Sequence, residues 1–252
     1  MIRLRPALWP TLISLPILVL SLGLGVWQME RRDWKRDILH RIEVNQAAAP
    51  ITLDELLRGD PLRHEYGRVK VSGTFLHDKE FYLAARSLKN KVGLQLVTPL
   101  RTDDGRIVLF DRGWIPQEQK EPVRRAQGQI ADRVDLTGIV RRSQVRRQFA
   151  PENVPDRNVW FHVDVPLMRS MAGGKPDPRL DAFFLDADAT PNPGGVPVGG
   201  QTRLDIPNDH LSYAITWFLI ALAMAGVYLA YHWENGRLTI AGRTKVKPKD
   251  AL

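Results

Sequence analysis

Histidine is the residue type in this sequence best suited to bind a metal, because the chain contains six histidines and no cysteine. The lack of cysteine excludes disulfides, thiolate metal sites and a thioredoxin-like redox role. His40, His64, His77 and His162 stand in no metal-ligand spacing, and we interpret them as surface residues. His210 differs, because it opens the apolar stretch "HLSYAITWF". An imidazole at the edge of an apolar helix could ligate a metal, or it could simply lie beside the helix start that Asn208 and Asp209 indicate.

Two long apolar runs must position this histidine. Residues 7–27 contain no ionisable side chain, and residues 211–233 contain only His232. At about 1.5 Å per residue, each run reaches about 30 Å as a helix, which is enough to cross a bilayer. We therefore predict transmembrane helices at residues 7–27 and 210–233. His232 lies 22 positions after His210. That is about 33 Å along a helix, so the two cannot share a metal ion, and we assign His232 to an interfacial aromatic belt.

The charges that flank these runs predict the orientation of the chain. The first run also resembles a signal peptide, since Arg3 and Arg5 precede it. We favour a retained anchor, because helical sequence continues past Trp27 without a break. Basic residues concentrate after the second run, at Arg237, Arg243, Lys245, Lys247 and Lys249. The sequence therefore predicts an inner-membrane protein with both termini cytoplasmic, a periplasmic or equivalent domain at residues 28–209 and a basic tail at residues 234–252.

Between the runs, the pattern is typical of one β-rich domain. Short alternating stretches such as "GRVKVSGTF", "VGLQLVTPL" and "GRIVLFDRGWIP" follow one another, and "TDDG" predicts a hairpin turn. Thr52 and Glu55 predict a capping box, and Asp164 predicts the cap of a second short helix. "TPNPGGVPVGG" indicates a linker or surface loop. The predicted fold class is a membrane α+β protein, with two terminal transmembrane helices flanking an extracytoplasmic, mostly antiparallel β domain, a small barrel or sandwich of about five to seven strands.

The residues of this domain show no catalytic constellation. Asn153, Asp156, His162 and Asp164 lie close in sequence, yet they include no nucleophile with a base at a suitable spacing. The segment "RRSQVRR" (Arg141 to Arg147) could pair with an anion, a lipid or an acidic partner, or it could be a solvated basic face. The net charge is +8, but we expect no nucleic-acid partner for a domain outside the cytoplasm. The protein is therefore not expected to be an enzyme.

Six segments, taken together and in this order, carry a family resemblance. They are "GVWQMERRDWKRDIL", "YGRVKVSGTF", "VGLQLVTPL", "VLFDRGWIP", "NVPDRNVWFHVD" and "HLSYAITWFLIALA". With a membrane helix at each end, the chain resembles the surfeit-locus family of cytochrome c oxidase assembly factors, and in particular its bacterial members. The likeness spans about residues 25–223. The proline-rich approach to His210 and residues 118–129 depart from the family pattern.

The resemblance implies a function, a cofactor and partners. Bacterial members of the family resemble haem a carriers, which hold the cofactor between haem a synthase and subunit I of cytochrome c oxidase. On that likeness His210 is the expected haem ligand, with Trp217, Trp27 and Gln28 nearby. Membrane lipid is the remaining partner.

Helical spacing is compatible with this role. One stripe of the second helix contains His210, Tyr213, Ala214, Trp217, Ala221 and Met224, and Gly23, Trp27 and Arg31 form a stripe of the first. We expect these two stripes to meet and a haem to lie between them. The alternatives are helix packing by the small residues and belt positions for the tryptophans.

Two functional hypotheses follow from the sequence. In the first, the protein binds haem a through His210 and helps its insertion into subunit I of an aa3-type oxidase. In the second, it is a cofactor-free membrane scaffold that stabilises an oxidase assembly intermediate by protein contacts. A haem spectrum that depends on His210 would distinguish them.

Overall fold

The chain folds into two compact units, residues 1–39 with 206–252 and residues 40–205. The computed structural model describes residues 2–146, 148–202, 204 and 207–240. The predicted tail lies mostly outside these residues, as do Arg147 and the basic residues after 240 on which the predicted orientation depends.

Two long helices dominate the first unit, α1 (Leu8–Ala47) and α5 (His210–Glu234). Both are long and apolar enough to cross a membrane. α1 continues past Trp27 for five further turns, as the unbroken sequence predicts. Beyond the helix ends, β1 (Ile2–Leu4) and β9 (Leu238–Ile240) pair as an antiparallel two-stranded ribbon.

The second unit is built from one sheet that closes on itself. Its strands are β2 (Ile51–Thr52), β3 (Arg68–Phe75), β4 (Phe81–Leu88), β5 (Lys91–Thr102), β6 (Ile107–Pro116), β7 (Val134–Arg142) and β8 (Phe183–Ala187). The order is β2-β3-β7-β8-β6-β5-β4, and β3 also pairs with β5, so β3, β7, β8, β6 and β5 form a closed ring. The predicted barrel-like β domain is therefore confirmed. Most pairs are antiparallel, but β2/β3 and β6/β8 are parallel.

Local sequence signals produce several of these elements as predicted. Thr52 caps α2 (Leu53–Leu57) with the full capping box to Glu55. Asp164 Oδ1 accepts the Leu167 N–H at 3.2 Å at the start of α3 (Val165–Met171). Gly105, at φ +84°, completes the turn between β5 and β6.

The domain buries three apolar clusters, of which the largest fills the barrel. It contains Val69, Val71 and Phe75 from β3, whose alternation places every second side chain inside. A second cluster packs Trp160, Val163 and other residues after β7 against the outer face of the sheet.

Several elements of the domain were not predicted, and two of them help to build the barrel. β8 was not predicted, and neither was the short helix α4 (Pro178–Asp181) before it. The "TPNPGGVPVGG" segment is irregular as predicted, yet it is tied to the sheet, because Trp114 and Val198 exchange backbone hydrogen bonds of 3.0 and 2.8 Å.

Candidate cofactor-binding site on the helix pair

The central feature of the first unit is a hydrogen bond between its two helices. His210, the first residue of α5, donates from Nδ1 to Gln28 Oε1 at 2.7 Å. Both side chains are partly buried. A carbonyl oxygen can only accept, so this contact places the imidazole proton on Nδ1 and leaves the lone pair on Nε2. Among the described residues, the structure gives Nε2 no hydrogen-bond partner.

This arrangement has the chemistry of a metal-binding histidine with its supporting residue. A neutral imidazole coordinates metal through one nitrogen, while the other nitrogen donates to an oxygen that fixes the tautomer and the ring orientation. His210 and Gln28 therefore fit the donor set that haem iron requires. Between residues 2 and 240, apart from the undescribed positions, no group of three or more acidic, histidine or cysteine residues could hold a metal ion.

The start of α5 is held without the expected side-chain cap. Asp209 occupies the N-cap position, but its side chain makes no capping hydrogen bond. Asn208 instead reaches α1, where its Nδ2 donates to the Arg32 carbonyl at 3.4 Å. Arg32 lies one turn after Gln28 on α1, with its guanidinium largely covered. The Arg32 guanidinium lies 3.2 Å from the Asp33 carboxylate, so this turn of α1 carries an ion pair one turn after Gln28.

The helices meet along a different stripe of α1 from the one predicted. Ser21 is 2% exposed, and a Cβ atom on Gly25 would lie 2.6 Å from the Phe218 ring. Gly23 has nothing within 4 Å of the corresponding position, and Trp27 is 51% exposed. The prediction that Gly23, Trp27 and Arg31 face α5 is therefore wrong, because the packed face lies two residues, or about 200°, round the helix.

The stripe predicted on α5 is only partly at the contact. Ala214 and Ala221 are buried, at 0% and 3% exposure, and Trp217 is partly buried. Tyr213 is 58% exposed and lies at the flank. Gly25 of α1 packs against Phe218 of α5, eight residues after His210. The two helices are therefore in direct contact there, and a macrocycle would have to lie on an outer face of the helices.

His232, which we assigned to an interfacial aromatic belt, is buried against α1 and is not an exposed residue. It is fully buried, and its Nε2 accepts the Ala7 N–H at 3.0 Å while Nδ1 donates to the Tyr228 carbonyl at 2.8 Å. Tyr228 in turn hydrogen-bonds Thr11 across the pair at 2.7 Å. His232 thus closes the first turn of α1, and both of its nitrogens are used.

The arginine segment that starts at Arg141 is mostly paired. Arg141, Arg142 and Arg146 lie 3.7, 3.5 and 2.7 Å from the carboxylates of Asp186, Glu65 and Glu152, respectively. Arg147 lies outside the described residues. The three described arginines therefore offer little free charge to an anionic ligand.

Sequence reasoning missed the buried charges of the β domain. Arg125 donates from Nη1 to Glu80 Oε1 at 3.0 Å and from Nη2 to Glu80 Oε2, with both side chains almost fully buried. Burial acts to raise the pKa of Glu80, but hydrogen bonds from His77 and Arg125 outweigh it and lower that pKa to about 2. No spacing signal could have paired two residues 45 positions apart.

A β-bulge in "DRG" (Asp111 to Gly113) places a second ionisable group, the Asp111 carboxyl, in the interior. The register of β5 and β6 shifts at Leu96 and Val97, and Arg112 is the extra residue. Asp111 Oδ1 accepts the Gly113 N–H at 3.0 Å, and Gly113 has φ +116°. Burial and the neighbouring Asp186 raise the pKa of Asp111 well above its ordinary value.

Comparison with known proteins identifies the family of this chain. The sequence profile of the SURF1 family matches residues 15–222. The SURF1-like protein of Monosiga brevicollis is 36% identical over 240 residues, which cover 91% of this chain and 89% of that protein. Surfeit locus protein 1 of Homo sapiens is 36% identical over 230 residues, covering 84% and 73%, and that of Rattus norvegicus is 37% identical over 221 residues, covering 81% and 69%. The resemblance that the six segments indicated is confirmed, and the chain belongs to the SURF1 family.

Proposed function

We propose that this protein is an assembly factor for an aa3-type cytochrome c oxidase, which binds haem a and helps its insertion into subunit I. The observation that carries the proposal is the 2.7 Å hydrogen bond from His210 Nδ1 to Gln28 Oε1. It leaves Nε2 as the available ligand at the end of an apolar helix. Membership of the SURF1 family supports the connection to oxidase assembly.

In this role the chain's own residues bind and orient a cargo. Haem a, when bound, supplies the iron that His210 Nε2 ligates and the apolar macrocycle that needs cover. Gln28 holds the tautomer and the ring plane of His210. Trp217 and Tyr213 offer aromatic surface beside His210 on α5, and Arg32 offers a cation for the carboxylates of the macrocycle. Trp27 points elsewhere on α1, so its contribution would come from outside the helix contact.

Holding by a single histidine is compatible with a carrier that must release its cargo. Release would then require the loss of only one bond from this chain to the iron. The partners proposed are haem a synthase as donor and oxidase subunit I as acceptor. The protein performs no catalysis in this scheme. The proposed location is the inner membrane, with both termini cytoplasmic and the β domain periplasmic.

The test is an absorption spectrum of the detergent-purified protein after co-expression with the enzymes of haem a synthesis. We expect a haem a spectrum from the wild type and from the control variant His64→Ala, since His64 is an exposed residue of the β domain. We expect His210→Ala to lose or shift that spectrum while keeping the thermal unfolding midpoint of the haem-free wild type.

Two outcomes would contradict the proposed ligand. If no protein carries haem, or if His210→Ala carries it as the wild type does, the His210 mechanism fails. The cofactor-free scaffold would then explain the family relationship better. In that case, co-purification of subunit I should be equal for the wild type and His210→Ala.

A further inference from the structure

The ribbon of β1 and β9 lies where both long helices end. β1 ends four positions before the start of α1, and β9 begins four positions after the end of α5. Arg3 pairs with Thr239 and Leu4 with Leu238, and the Arg5 N–H donates to the Arg237 carbonyl at 2.8 Å. The ribbon therefore joins the two chain segments immediately beyond the helices.

The two faces of this ribbon differ in chemistry. Paired residues of an antiparallel ribbon share a face, and successive residues alternate. Ile2, Leu4 and Leu238 thus lie on one face, and Arg3 lies on the other with Thr239. Ile2 is 72% and Leu4 40% exposed, so no described residue covers these two apolar side chains.

The charged residues of the polar face are all basic. Arg3, Arg5 and Arg237 are all exposed. Neither strand contains an acidic residue, and neither do the short connections to the helices. A strand pair with an uncovered apolar face and a basic face has the amphipathic pattern of segments that lie in a membrane interface.

The aromatic residues next to the ribbon indicate its depth. Trp9 in the first turn of α1 is 73% exposed, and Tyr231 in the last turn of α5 is 44% exposed, with Trp233 beside it. Exposed tryptophan and tyrosine near the ends of spanning helices lie at the headgroup level. The ribbon, a few residues further on, would then lie at the level of the lipid phosphates.

We propose that β1 and β9 form an interfacial ribbon that binds anionic phospholipid headgroups in the leaflet at this end of the helices. Ile2 and Leu4 lie against the acyl chains, and Arg3, Arg5 and Arg237 contact the phosphates. An arginine near an anionic surface contributes about a fivefold preference, equivalent to about 1 kcal/mol. The ribbon holds the two helix ends at one depth, and it does so without any cofactor.

The absence of native cysteine allows a direct test of insertion. The full-length variants Ile2→Cys and Arg3→Cys are labelled with a polarity-sensitive fluorophore and reconstituted into phosphatidylcholine vesicles with or without phosphatidylglycerol. The two labels are one residue apart but on opposite faces. We expect doxyl-labelled acyl chains to quench the label at position 2 about twofold more than the label at position 3, and the difference to be larger with phosphatidylglycerol.

The charge contribution is tested by the triple variant Arg3→Gln/Arg5→Gln/Arg237→Gln. Its matched control is Arg36→Gln/Lys70→Gln/Lys91→Gln, which removes three exposed charges elsewhere. We expect the preference for spin-labelled phosphatidylglycerol over phosphatidylcholine to fall at least about fivefold in the first variant only. The proposal is overturned if aqueous iodide quenches both labels equally in every vesicle, as for a ribbon that binds a protein instead, or if both triple variants keep the wild-type lipid preference.

Discussion

Among single residues, Gln28 is the one that determines which nitrogen of His210 is available. The sequence indicates His210 as a candidate ligand, because its type and its position at the edge of an apolar run are both visible. The hydrogen bond to Gln28 joins residues 182 positions apart, and no local pattern encodes it. Gln28 entered the sequence prediction only through the family resemblance.

Replacing Gln28 tests whether it positions the ligand. Gln28→Leu removes the hydrogen-bond acceptor of His210. We therefore expect haem a affinity to fall about 10- to 100-fold, as it does when the hydrogen-bond partner of a metal-binding histidine is removed in other proteins. Gln28→Glu keeps an acceptor and should restore binding, with a lower haem reduction potential because the imidazole becomes a stronger donor. The measurement is titration of the haem-free protein in detergent, followed by redox titration.

Gln117→Leu is the matched control, since Gln117 is exposed on the β domain. A Gln28→Leu variant with wild-type affinity would show that His210 is oriented by something else. Equal losses in Gln28→Leu and Gln28→Glu, with no change in potential, would instead indicate a purely packing role.

At the scale of elements, the sequence predicted where strands and helices lie better than which side of each one packs against the rest of the protein. The alternation of Val69 and Val71 identified β3, whereas β8 was missed because Phe183, Phe184 and Leu185 are all buried and show no alternation. In α1 nearly every residue of the run is apolar, so no periodicity marks the packed side. Gly23 and Gly25 were equally plausible, and only the tertiary contact distinguishes them.

These two glycines provide a matched pair for testing the helix contact. Gly25→Leu places a side chain where the Phe218 ring lies within 2.6 Å of the Cβ position. Overpacking of this kind costs about 1 to 3 kcal/mol. Gly23→Leu meets open space, so we expect little change from it. We therefore expect a lower thermal midpoint and weaker haem a binding for Gly25→Leu only.

Differential scanning calorimetry of the full-length protein in detergent measures the thermal midpoint, and haem titration measures the affinity for haem a. Identical midpoints for the two variants would mean that the helices do not pack through Gly25. A lower midpoint for Gly23→Leu alone would indicate that the predicted stripe is the contact after all.

At the scale of the whole molecule, the sequence predicted a β domain between two apolar helices but not how the sheet closes. Closure depends on β3 pairing with both β7 and β5, and on the parallel pairing of β6 with β8. It also leaves charged groups inside, since Glu80 and Arg125 become neighbours only once the domain is formed. Such pairs make the stability of the domain depend on pH.

The pKa of Glu80, about 2 in the folded protein against an ordinary 4.5, fixes the direction of that dependence. Because the folded state holds the carboxylate, its contribution is complete above about pH 4.5 and is lost as the pH falls toward 2. Glu80→Gln leaves Arg125 buried without its charge partner. We therefore expect the free energy of unfolding to fall by on the order of 3 kcal/mol at neutral pH, and to depend less steeply on pH in the acid range.

The control is Glu152→Gln, which removes an exposed partner of Arg146 and should cost less than about 1 kcal/mol. Urea unfolding of the full-length protein in detergent, followed by the fluorescence of buried tryptophans such as Trp160, measures both. Wild type and Glu80→Gln with parallel acid limbs would show that the ion pair does not carry the pH dependence.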